Sequence, residues 1–161
     1  MARSDAAARA AQDAGSAADR RLRIVRNFAA PREAVFRAWT DPKQLVKWWG
    51  PKGYACPECT VDMREGGRWR TVMRSPEGTN HIVGGVYRKI EPHSLLAFTW
   101  AWATDGAPGH ETLVTVEFHE RGKTTEMVFT QETFESVTAR DQHSQGWNSA
   151  FECLEDFFRE E

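Results

Sequence analysis

From Tyr54 to Gln131 the sequence reads as one strand after another, each closed by a turn, and no other feature narrows the fold as much. "CTVDMRE" alternates apolar and polar residues before "GG" (66–67) turns the chain. "RWRTVMR" is closed by "SPEGTN", a turn built on Pro76 and Gly78. "HIVGGVYRKI" runs into "EPHS" and "LLAFTWAW" into "TDGAPG", while "TLVTVEFHE" and "TTEMVFTQ" are joined by "RGK" with Gly122. Successive alternating segments with short connections predict a six-strand antiparallel meander.

The flanks complete the pattern. "LRIVRNFA" (22–29) reads as a first strand with Leu22, Ile24 and Phe28 on its apolar faces. "APREAVFRAWT" predicts a short helix with Pro31 at its first position and Val35, Phe36 and Trp39 at helical spacing. "DPKQ" restarts a helix, with Asp41 as N-cap, Pro42 next and Gln44 reaching back. Gly50 and Pro51 stop it. Residues 136–160 predict a long helix capped by Ser136, with Trp147, Ala150, Phe151, Leu154, Phe157 and Phe158 along one stripe. Neither the sheet nor this helix can bury its apolar face alone. The expected solution is an α+β domain over 22–161. About seven antiparallel strands curve around the C-terminal helix, and two short helices follow the first strand.

Residues 1–21 hold alanine, small polar residues and charges but no large apolar side chain beyond Met1. A helix with nothing to bury is marginal in water, so a frayed or disordered tail is expected. A net charge of -2 gives no basic footprint for nucleic acid or anionic membrane. No apolar run approaches the roughly 18 residues that span a bilayer. The N-terminus has no apolar signal core, and three cysteines do not make a disulfide framework. A cytoplasmic location is the expectation.

"ACPEC" (55–59) raises the question of a redox or zinc centre. An extended chain separates positions i and i+3 by about 10 Å and points them to opposite faces. A redox pair also needs a helix N-terminus, and here a strand follows. No second C-x-x-C and no H-x₃₋₅-H accompanies the pair. Cys59, on the parity of Val61 and Met63, is expected to be a small core residue, and Pro57 marks an edge strand or bulge.

The stretches "APREAVFRAWTDPKQLVKWWGPKG", "DMREGGRWRTVM", "GGVYRKIEPHSLLAFTW" and "DQHSQGW", in this order, resemble the homologues of the activator of the heat-shock-protein-90 ATPase. That family lies in the SRPBCC superfamily of START-like and birch-pollen-allergen-like proteins. The resemblance runs from about Leu22 to Phe158 and implies the helix-grip fold. It also implies binding of hydrophobic ligands, polyketide cyclase or dehydratase activity, or a chaperone-activator role. The activator proper carries a further N-terminal domain that has no counterpart in these motifs, so a chaperone-interaction module ranks behind the other two.

In a helix-grip domain the cavity lies between the concave sheet face and the last helix. Strand parity turns Trp69, Thr71 and Met73 inward, with Val83, Gly85 and Tyr87, then Leu96, Phe98 and Trp100, then Met127, Phe129 and Gln131. The helix would present Trp147 and Phe151, and Gly146 would allow close approach to the sheet. The chain has seven Trp and nine Phe against two Tyr, a ring set with few polar handles. Such rings either line an open cavity for a small hydrophobic or aromatic ligand or meet and fill it. His81 and His143 are the candidates to orient a ligand carbonyl or to move a proton. The candidate site is therefore Trp69, Met73, His81, Val83, Phe98, Trp100, Met127, Phe129, His143, Trp147 and Phe151. Glu117, Glu126 and Asp62 fall on outward parities, and Arg68 and Arg70 flank Trp69 on the solvent side. Ligand binding is expected ahead of catalysis. No cofactor, metal, nucleic acid or membrane partner is expected, and a homodimer is left open.

Overall fold

The computed structural model describes residues 15–104 and 107–159. Strand β1 (Leu22–Phe28) leads to helices α1 (Arg32–Thr40) and α2 (Pro42–Leu45). There follow β2 (Ala55–Val61), β3 (Arg68–Arg74), β4 (Asn80–Glu91), β5 (Leu95–Thr104), the two-residue β6 (Ala107–Pro108), β7 (Thr112–Arg121) and β8 (Thr124–Glu132). Helix α3 (Val137–Arg159) ends the described chain. The sheet runs β1-β8-β7-β5-β4-β3-β2 with every neighbour antiparallel, and β6 folds back on the end of β5. The meander is therefore as expected, and β1 closes it by pairing along β8 from Leu22↔Gln131 to Phe28↔Thr125. This is the helix-grip architecture: one curved sheet, with α3 laid in its concave face.

Helix α3 holds its place by packing. Trp147, Ala150, Phe151, Leu154 and Phe158 are buried, while Phe157 is half-buried. Full burial of a large apolar side chain contributes about 1.5–3 kcal/mol, far more than helix propensity supplies across the same residues. Ser136 caps the helix through Oγ, which accepts from the Ala139 N–H at 3.0 Å. On the polar side Arg26 of β1 donates to Glu155 at 2.8 Å and to Asn148 at 3.0 Å, tying helix to sheet edge.

Helices α1 and α2 plug one end of the groove. Trp39 of α1 stacks on Phe129 and Trp147 with interplanar angles of 24° and 27°. It meets Trp48 and Trp49 edge-on at 4.8 and 6.1 Å. Pro31 stands one residue earlier than expected, at the N-cap. Asp41 caps α2 by accepting from the Lys43 N–H at 3.0 Å. Gln44 does not close a capping box, because the Asp41 N–H already bonds the Arg37 carbonyl at 2.8 Å. Its amide approaches the Asp41 carboxylate instead, at 3.5 Å.

Two local features depart from simple strand parity. In β2 the register slips between Ala55 and Glu58, so Cys56 and Cys59 both pack against the core rather than on opposite faces. Pro57, exposed on this edge strand, sits in that bulge. Both thiols are free. Burial raises the pKa of each, that of Cys59 to about 11. Between β4 and β5, the Val86 N–H bonds the Thr99 hydroxyl at 2.8 Å instead of a ladder carbonyl. The Trp69 indole, opposite Gly85 in the register, reaches across to the Thr99 carbonyl at 3.2 Å. A Cβ on Gly85 would lie 1.9 Å from that carbonyl oxygen, which explains the glycine.

Of the expected tail, residues 1–14 lie outside the described residues. Residues 15–21 form a turn in which Ser16 and Asp19 exchange hydrogen bonds at 3.1 Å. Arg140 of α3 donates to the Asp19 carbonyl, and Arg21 pairs with Glu132 at 3.1 Å.

Candidate functional site

A cavity of about 310 Å³ opens between the loop after α2, the sheet and α3. Three parts of the chain build it. The loop after α2 supplies Trp49, Gly50, Pro51 and Tyr54. The sheet supplies Met73 of β3, His81 of β4, and Trp100 and Trp102 of β5. Helix α3 supplies Gln142, His143, Gly146, Trp147 and Ala150. Trp49, Met73, Trp100, Trp147 and Ala150 are buried and form the floor; His81 and Gln142 are exposed and mark the mouth.

The loop is shaped by two glycines in the left-handed region, Gly50 at φ 93° and Gly53 at φ 87°. A Cβ at Gly50 would also press on Met73 Sδ at 3.1 Å. The loop is latched to α3 through Lys52, whose N–H donates to Ser149 Oγ at 2.9 Å and whose ammonium meets Glu152 at 2.8 Å.

Two of the three floor indoles are held by hydrogen bonds behind them. The Trp147 N–H donates to Gln131 Oε1 at 2.8 Å, and Gln131 Nε2 donates to Thr112 Oγ1 at 2.8 Å. Thr112 in turn donates to the Trp100 carbonyl at 3.3 Å. Gln131 and its partners are buried, so this chain fixes the Trp147 ring against the sheet. Trp49 donates to Thr71 Oγ1 at 2.9 Å. The Trp100 N–H is buried and has no partner among the described residues.

His143 is locked in one tautomer. Its Nδ1 lies 2.7 Å from the Ala139 carbonyl, so Nδ1 carries the proton. Its Nε2 then accepts from the Trp102 indole N–H at 2.9 Å. Burial lowers its pKa, against the smaller opposing effects of the Ala139 carbonyl and Glu135. With both nitrogens occupied, His143 acts as a structural support for Trp102 and not as a free base.

Of the residues expected at the site, the structure brings Met73, His81, Trp100, His143 and Trp147 to the cavity. Trp69, Val83, Phe98, Met127, Phe129 and Phe151 do point inward, but they fill the core behind the cavity floor, with Phe98, Phe129 and Phe151 packed on Trp39. Both outcomes weighed from sequence therefore occur, in different halves of one groove. Gly146 borders the cavity opposite Pro51, whose Cγ would be 3.9 Å from an added Cβ, so it does not serve close packing on the sheet. Trp49, Pro51, Tyr54, Trp102 and Gln142 were missed. The signal was present in "WWGP", where a ring precedes a helix stop and a forced turn.

The architecture and this cavity define a helix-grip protein. Residues 29–159 match the family described as Activator of Hsp90 ATPase homolog 1-like protein, and the chain belongs to that family. A crystal structure of a protein from Nitrosomonas europaea is similar at 26% identity and TM-score 0.77, covering 89% of this chain and 96% of that one. The AHSA1 protein from Silicibacter pomeroyi is similar at 29% identity and TM-score 0.77, over 84% and 95%. A solution structure of a protein from Arthrobacter aurescens gives 27% and 0.78, over 91% and 90%. Comparison with curated proteins gives no match.

Proposed function

We propose that the protein binds a small hydrophobic or aromatic ligand in the cavity between the Trp49–Tyr54 loop, the sheet and α3. The observation that carries this reading is the floor, where Trp49, Trp100 and Trp147 leave a volume of about 310 Å³ open. That volume lies at the lower end of the range for ligand pockets, roughly 300–1,000 Å³. A cyclase or dehydratase activity would need a free acid–base group beside the floor. The half-buried His143 is instead committed to Ala139 and Trp102, and the free imidazole, His81, lies at the exposed mouth. A chaperone-interaction module would present an apolar patch, whereas Val25 is the exposed large hydrophobic side chain among the described residues.

The test uses ¹⁵N-labelled protein and a panel of mono- and bicyclic aromatic hydrocarbons. Saturable shifts of the Trp100 and Trp147 indole N–H resonances at micromolar concentrations, about -8 kcal/mol, are expected. A panel that moves neither resonance and raises no melting temperature would overturn the reading.

A further inference from the structure

The polar atoms around the cavity are distributed unevenly, and that distribution constrains the ligand. At the floor, the indole N–H groups of Trp49 and Trp147 are bound to Thr71 and Gln131, and that of Trp100 is buried within the wall. The Trp102 N–H is bound to His143. The floor therefore offers a guest ring faces and a thioether, and the Trp100 N–H, the floor donor without a partner among the described residues, is buried from solvent within the wall. At the mouth the situation reverses. Tyr54, His81 and Gln142 come from the loop, β4 and α3, and among the described residues none of their side chains has a hydrogen-bond partner. The rings of Tyr54 and His81 lie against each other, with centroids 6.2 Å apart, and His81 meets Trp102 edge-on at 6.3 Å. So the free donors and acceptors sit on one aromatic rim.

Charge is the second constraint. No Asp, Glu, Lys or Arg lines the cavity among the described residues. The nearest cation on the loop, Lys52, is paired with Glu152 at 2.8 Å on the outer side of the latch. An anion placed on the floor would be desolvated against the negative faces of the rings with nothing to pair it. Size is the third: a volume of about 310 Å³ lies at the small end for ligand pockets and suits a compact guest of one or two rings.

We propose that the cavity takes a planar aromatic compound of one or two rings with one uncharged hydrogen-bonding group, a hydroxyl or carbonyl, turned outward to Tyr54, His81 and Gln142. This rests on the binding reading above and makes those three residues specificity determinants. The apolar end lies on Trp100 and Trp147, and the polar group remains at the rim where its hydration is replaced by the Tyr54 hydroxyl, the imidazole or the amide.

The probes are naphthalene, 2-naphthol, 2-naphthoate and N-methylquinolinium, titrated into the intact protein and followed through the tryptophan indole N–H resonances. 2-Naphthol should bind about tenfold more tightly than naphthalene, the size of one good hydrogen bond. 2-Naphthoate should bind at least about tenfold more weakly than 2-naphthol. N-methylquinolinium, which the ring faces attract but which brings no hydrogen-bonding group, should bind no more tightly than 2-naphthol. Tighter binding of it would overturn the choice of an uncharged ligand. Tyr54→Phe combined with His81→Phe should remove most of the advantage of 2-naphthol over naphthalene measured in the same variant. The exposed variant Gln142→Leu, checked by thermal melting, supplies a second measure of the rim in a folded protein. Four equal affinities would overturn this inference and leave the binding reading standing. An advantage of 2-naphthol that survives in all the variants would overturn the placing of the polar group. Failure of naphthalene itself to bind would overturn the binding reading, and the inference with it.

Discussion

At the scale of single residues, the buried amide of Gln131 holds the site together. It is fully buried, accepts from Trp147 and donates to Thr112, and apolar surroundings make each bond costly to lose. Gln131→Leu keeps the volume but leaves the Trp147 N–H unpaired and removes the donor to Thr112 Oγ1, which keeps only its bond to the Trp100 carbonyl. A loss of about 1–3 kcal/mol is expected in urea unfolding; no loss would mean that the two groups find other partners. His143 gives a prediction with a defined sign. Its folded-state pKa lies below the ordinary value of 6.5, so the unfolded chain takes up the proton first as pH falls. Its contribution is fully present above pH 6.5 and is lost as pH falls from there toward the lower folded value. Melting temperatures between pH 7.5 and 5 should show this decline, and His143→Leu should flatten it. On protonation the Nε2–H would face the Trp102 N–H, so the Trp102 indole resonance should move over the same interval.

At the scale of elements, the existence and order of strands and helices were legible because period-two alternation and turn residues are local signals. Strand parity also placed the eight strand candidates at or near the concave face, and helical spacing placed Trp147 and Phe151 on the face of α3 toward it. What parity does not encode is position along the strand axis, and that separates Phe98 in the filled half from Trp100 in the open half. Nor does it encode insertions: the bulge at Pro57 reversed the expected relation of Cys56 to Cys59. The cavity wall from Trp49 to Tyr54 was illegible for a different reason. It is a loop whose path depends on Lys52 finding Ser149 and Glu152, nearly a hundred residues away. The clearest element-scale test is Gly85→Ala. The added carbon would lie 1.9 Å from the Thr99 carbonyl oxygen, so β4 and β5 must separate or Trp69 must leave. Such overpacking costs about 3 kcal/mol or more; a variant as stable as the parent protein would show that this strand pair is pliable.

At the scale of the whole molecule, Trp39 is the point where the layers meet. It touches Trp48 and Trp49 behind it, Phe98 and Phe129 of the sheet, and Trp147 and Phe151 of α3. One ring bridging three layers implies that they melt together. Far-ultraviolet circular dichroism and tryptophan fluorescence should therefore give coincident unfolding curves. Trp39→Ala should cost about 3–5 kcal/mol while preserving coincidence. Separate transitions would show that α1 and α2 form an independent unit.

The pairing of β1 with β8 also has a consequence for how the protein is made. Leu22 leaves the ribosome roughly a hundred residues before its partner Gln131 does, an interval of about 5–20 s at common rates of synthesis. Throughout that interval β1 is an unpaired edge, and Trp69, Phe98 and Trp100 have no helix to cover them. This domain can therefore close only once β8 and α3 have emerged, and it is most exposed to aggregation just before that helix arrives.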